Sequence, residues 1–159
     1  MMGGPPSPDF DFGGRGGHPP PRFGPRATDK TRFFRGVQLT DREGVAHFAT
    51  IYPGWYLGRD THIHMKVHTQ GSASKGIHRG GNVCHTGQLF FPDEISDAVA
   101  RLSPYSSHKA ERTRQEDDDM FSSQHGSEFL LALKQTNSRS MSEGFTAAIV
   151  VGVDPRPNS

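Results

Sequence analysis

The chain has 159 residues, room for one ordinary domain and little more. A net charge of +1 argues against nucleic acid as the main partner, and an apolar share of 32 % predicts a modest core. One cysteine, Cys84, excludes an intramolecular disulfide, and no apolar run is long enough for a transmembrane helix.

Residues 1–30 read as a disordered head rich in Gly and Pro, with isolated Phe10, Phe12 and Phe23. Its start, Met1-Met2-Gly3-Gly4-Pro5-Pro6, lacks the basic and apolar blocks of a secretory leader. The compartment is therefore cytoplasmic by default. Residues 31–155 form the domain, and 156–159 a short tail.

Phe33 to Leu39 and Val45 to Ile51 are expected to be strands. The intervening Thr40-Asp41-Arg42-Glu43-Gly44 has the composition of a type I turn closed by a residue at positive φ. Pro53-Gly54 breaks the chain. From Thr61 to His68 the residues alternate: Thr61, Ile63, Met65 and Val67 face one way, and His62, His64, Lys66 and His68 the other. Gly71 to Gly81 reads as a flexible loop.

Gln88 to Phe91 is a short strand feeding Pro92-Asp93, a helix start followed by Ile95, Val99 and Leu102 at helical spacing. Pro104 ends that helix. Ser106 to Asp119 is expected to be a solvated loop or short helix, its Glu116-Asp117-Asp118-Asp119 run a surface feature. Glu128 to Lys134 and Phe145 to Val153 are the last strands, the second apolar enough to be central. Short strands with one short helix indicate an all-β sandwich with a helical insertion.

The chemistry concentrates between Tyr56 and His64. Residues i and i+2 of a strand face the same side roughly 6–7 Å apart, so His62 and His64 can reach one metal ion. Tyr56, across a Gly-containing turn, can bring its phenol to the same ion. Imidazole with phenolate suits iron or copper better than magnesium or calcium, and a phenolate favours the ferric state. Two histidines on an exposed strand, beside Lys66 and His68, also describe an ordinary polar face. Clustering favours the site, because two imidazoles, a phenol and the Arg59 guanidinium fall within nine residues. Trp55 either packs or lines a pocket. Cys84 and His85 face opposite sides of a strand, which assigns His85 to a pocket or core.

These residues carry a resemblance. Phe34-Arg35-Gly36, Gln38, Thr40-Asp41 and Gly44 are followed by Phe48, Thr50-Ile51-Tyr52-Pro53-Gly54-Trp55-Tyr56, Gly58-Arg59 and His62-Ile63-His64. Gly87-Gln88-Leu89-Phe90-Phe91, Pro104-Tyr105 and Gly152-Val153-Asp154 continue the pattern. Over roughly residues 31–155 the sequence resembles the intradiol ring-cleavage dioxygenases, relatives of the protocatechuate and catechol enzymes.

The resemblance implies an intradiol dioxygenase-type β-sandwich holding non-haem Fe(III). By motif position, Tyr56 matches a tyrosinate ligand, and His62 and His64 match the histidine ligands. Arg59 matches the arginine that stabilises anionic charge on the substrate, with an ion pair to Asp60 or Asp93 as its structural alternative. Gln88 matches a glutamine of the same pocket. The partners implied are a catecholic substrate and O₂, inserted into the ring to give a cis,cis-muconate-type product.

One departure stands out. The family supplies a second tyrosine ligand from a strand upstream of the Phe34-Arg35-Gly36 segment. The tyrosines here are Tyr52, Tyr56 and Tyr105, and none precedes it. The chain is therefore expected to begin in mid-domain. The competing readings are a truncated, catalytically incompetent remnant of the family and a transthyretin-like β-sandwich binding module.

Overall fold

The computed structural model describes residues 36–75, 77–79 and 81–154; the expected head, the first residues of the first expected strand and the tail lie outside them. The Thr40–Gly44 turn forms as its composition requires. Asp41 N donates to Val45 O at 2.9 Å, the Asp41 carboxylate accepts from Glu43 N and Val45 N, and Gly44 sits at φ +81°. The described parts of the flanking arms are not strands. Residues 36–39 and 45–51 form no ladder among the described residues, and Val37, Leu39, Val45, Phe48 and Ile51 remain exposed. An alternating pattern specifies which side chains share a face, but only a hydrogen-bonded neighbour makes the segment a strand.

The first ladder joins β1 (His62–Thr69) to β4 (Asn82–Phe90), antiparallel, with a register irregularity between Val67 and His68. It pairs His62 with Phe90 and His64 with Gln88. Residues directly opposite in an antiparallel pair share a face, so His64 and Gln88 lie side by side.

Between these strands the expected loop is a small hairpin, β2 (Ser72–Ser74) with β3 (Ile77–Arg79). Its Ser-Ala-Ser strand carries none of the β-branched or aromatic residues that signal a strand. Gly81 is required at the exit: its φ is +89°, and a Cβ there would lie 2.8 Å from the Thr69 carbonyl.

Helix α1 (Asp93–Ala100) begins after Pro92, as expected, with Asp93 and Glu94 against the positive end of its dipole. It buries Val99 and Ser96, and the Ser96 hydroxyl meets the Tyr52 phenol at 2.8 Å. The following segment differs from its reading as a solvated loop. It ends in a short helix α2 (Asp119–Ser123) whose N-cap, Asp118, is completely buried.

The last ladder is antiparallel, β5 (Ala132–Asn137) with β6 (Ser140–Ala148). Both strands are displaced from expectation, and β6 pairs only with β5 among the described residues, so it is not central there. Part of its apolar run, with Val150 97 % exposed, lies beyond the ladder. The two larger ladders meet where Leu131 N donates to Phe90 O at 2.9 Å. Around that seam sit the buried Phe90, Phe91, Val99 and Leu131, with Phe121 edge-on to Phe90. No helix among the described residues is long and apolar enough to cross a membrane.

Candidate metal centre

A reversal at Tyr56–Arg59 places the first candidate donor. Arg59 N donates to Tyr56 O at 3.4 Å, Gly58 takes φ +88°, and its N–H donates to Thr113 Oγ1 at 2.8 Å. The Tyr56 ring then stands 6.1 Å from that of His62, which lies 4.9 Å from that of His64, centroid to centroid. Among the described residues no three His, Cys, Asp or Glu side chains form a metal-binding group. Beside this histidine pair the described residues place the phenol of Tyr56.

The tautomer of His62 is fixed by its neighbour. Its Nδ1 lies 2.6 Å from the Asp60 carbonyl oxygen, which can only accept, so Nδ1 carries the proton. Nε2 is left with a lone pair, the orientation that metal-binding imidazoles take from a carbonyl partner. Burial, with the nearby Arg59 charge, pushes the His62 pKa down to about 4 despite that hydrogen bond. The ring is neutral at pH 7, so protons would compete little with a metal ion for it.

Behind the rings lies a charged layer. Arg59 donates through Nε to both oxygens of Asp118 at 3.1 Å and through Nη2 to Gln88 Oε1. Gln88 is 6 % exposed, and its Nε2 has no hydrogen-bond partner among the described residues. The expected alternative for Arg59 is corrected here. Asp60 and Asp93 instead bind Arg112, at 3.2 and 2.6 Å, and Asp97 joins them at 2.7 Å. The acidic run is corrected too, since Asp118 is the fully buried partner of Arg59.

The sequence marks Asp118 only as part of a solvated acidic run and does not mark Arg112. Asp118-Asp119 before Met120-Phe121 is a readable helix start, and it is the one signal that pointed inward. Arg112 had none.

Arg112 is 7 % exposed in its side chain and compensates three carboxylates. Arg112→Ala should cost roughly 3–5 kcal/mol, because it strands buried charge, and chemical denaturation of the apo chain measures it. A loss below about 1 kcal/mol would mean that the carboxylates relax into water.

Trp55 packs: it is 9 % exposed, donates to Ala110 O at 2.8 Å and stacks on Tyr105. His85 stacks on Phe129, and its buried Nε2 has no partner among the described residues, consistent with a pocket or core position.

No family model matches the chain, and no curated protein matches it. Solved structures do. An intradiol ring-cleavage dioxygenase from Tetranychus urticae is 30 % identical, with a TM-score of 0.68 over 83 % of this chain and 58 % of its own. A second solved dioxygenase is also 30 % identical, with a TM-score of 0.68 over 82 % of this chain and 58 % of its own. The chain thus spans less than two thirds of the proteins it matches. Over that part it is similar to the intradiol ring-cleavage dioxygenases and shares their β-rich fold.

Proposed function

We propose, from this kinship, that the chain acts as a non-haem Fe(III) intradiol dioxygenase on a catecholic substrate and O₂, yielding a cis,cis-muconate-type diacid. Tyr56, His62 and His64 would hold the metal, and Arg59 and Gln88 would face the substrate. The observation that carries this reading is the Asp60 carbonyl holding the Nδ1 proton of His62, which leaves Nε2 unprotonated on a ring 4.9 Å from that of His64 and 6.1 Å from that of Tyr56. That donor set fits a ferric ion, which when bound would draw electron density from a catecholate ring.

The protein's own part is orientation and charge. Asp60 keeps His62 in one tautomer. Arg59, anchored at Nε, lies beside Gln88 and offers positive charge for an anionic substrate. In a partly dehydrated site such a group contributes about 3–4 kcal/mol, on the scale of oxyanion donors. The Nε2 of Gln88, without a hydrogen-bond partner among the described residues, would supply a donor for a substrate oxygen.

The test uses the full chain loaded with excess ferric iron, assayed with catechol and hydroxyquinol by O₂ uptake and product absorbance. Ring cleavage should appear, and Arg59→Ala should lower turnover about 100-fold or more while iron content changes little. Loss of iron and turnover in proportion would give Arg59 a purely structural role. Absence of cleavage with iron bound would overturn the activity.

A further inference from the structure

We propose that Asp118 is the positioning residue of this centre, a single carboxylate that fixes both Arg59 and the backbone holding His62. The proposal rests on the reading of the site given above.

The Asp118 side chain is completely buried, and both its oxygens are engaged. Oδ2 accepts from Asp60 N at 2.8 Å and from Arg59 Nε at 3.1 Å. Oδ1 accepts from the same Arg59 Nε at 3.1 Å and from the N–H groups of Met120 and Phe121 at 2.9 and 3.3 Å. Asp60 is therefore gripped twice, by Asp118 at its N–H and by His62 Nδ1 at its carbonyl.

The path from Asp118 to His62 thus contains one residue. The path to the substrate-facing charge contains none, because Arg59 is bonded directly. A carboxylate that accepts so many hydrogen bonds has little freedom to move, and neither do the groups bonded to it.

The simpler role is to cap α2. Asparagine separates the two, because its oxygen caps a helix about as well as aspartate does. With the asparagine oxygen at the capping position, its amide nitrogen stands in place of Oδ2 and cannot accept from Asp60 N. Arg59 Nε then keeps one neutral acceptor in place of two carboxylate oxygens. Asp118→Asn should preserve the cap, release Asp60 N and loosen the hold on Arg59.

The experiment compares wild type and Asp118→Asn by ¹⁵N NMR of His62 and Arg59, and by titration with Co²⁺ alone. In the variant, His62 should become a mixture of tautomers and the Arg59 Nε–H should exchange faster. Co²⁺ affinity should fall about 10–100-fold, the usual loss for an outer-shell partner. A folded Asp118→Asn protein with wild-type His62 and Arg59 signals and wild-type Co²⁺ affinity overturns the proposal. If the signals change but wild type itself binds no Co²⁺, the metal reading fails while the hold of Asp118 on both residues stands. Should Asp118→Asn not fold, wild type decides: an Arg59 Nε–H exchanging as fast as that of exposed Arg42 overturns the proposal, and slow exchange supports it.

Discussion

Replacing both His62 and His64 with alanine should reduce bound iron from about one ion per chain to background, measured by elemental analysis after gel filtration. Two of the three protein donors proposed for the metal are removed, and a single phenol is too weak a site to survive chromatography. The single variants differ in a useful way. His62→Ala also leaves the Asp60 carbonyl without the imidazole that it binds at 2.6 Å, at a cost of about 1–3 kcal/mol if no water replaces it. His64 is exposed on β1, so His64→Ala should lose metal with little change in apo-protein stability. Unchanged iron in the double variant would remove the site.

The local features that place the centre were legible because short-range chemistry determines them. Strand alternation put His62 and His64 on one face, Gly58 marked the reversal that returns Tyr56, and Pro92-Asp93 marked the start of α1. Features that depend on long-range partners were not legible. The arms around Gly44 read as strands, yet residues 36–39 and 45–51 form no ladder among the described residues, because a sequence pattern says nothing about what lies alongside. Asp118 stands in a run of four acidic residues that reads as solvated. Its burial follows from Arg59, 59 residues away in sequence, and from the N–H groups of Asp60, Met120 and Phe121. Sequence spacing cannot announce such a contact. The motif named candidate ligands, and the structure adds the hydrogen bonds that orient His62 and Arg59.

The 159-residue chain should hold Fe³⁺ loosely, and its ring cleavage should be weak without excess iron. Three phenols are available in the sequence, and two are engaged away from the histidines. The Tyr52 phenol bonds to Ser96, and burial pushes its pKa well above the ordinary value, which opposes ionisation. The Tyr105 phenol donates to the Tyr52 carbonyl at 2.6 Å, and burial raises its pKa too. Of the three phenols, Tyr56 is left to serve as the anionic donor in the proposed site, beside two imidazoles. Ferric iron is a hard, highly charged ion, and neutral nitrogen ligands stabilise it less than phenolates do. Loss of iron, or its reduction to the ferrous state, should therefore be easy. The chain would be loaded with Fe³⁺, desalted, challenged with a competing chelator, and followed by its visible phenolate-to-iron band. The band should fade within the challenge, Tyr56→Phe should abolish it from the start, and Tyr52→Phe and Tyr105→Phe should leave it unchanged. A band that outlasts the chelator, with robust cleavage of catechol or hydroxyquinol, would show that one phenolate and two imidazoles suffice.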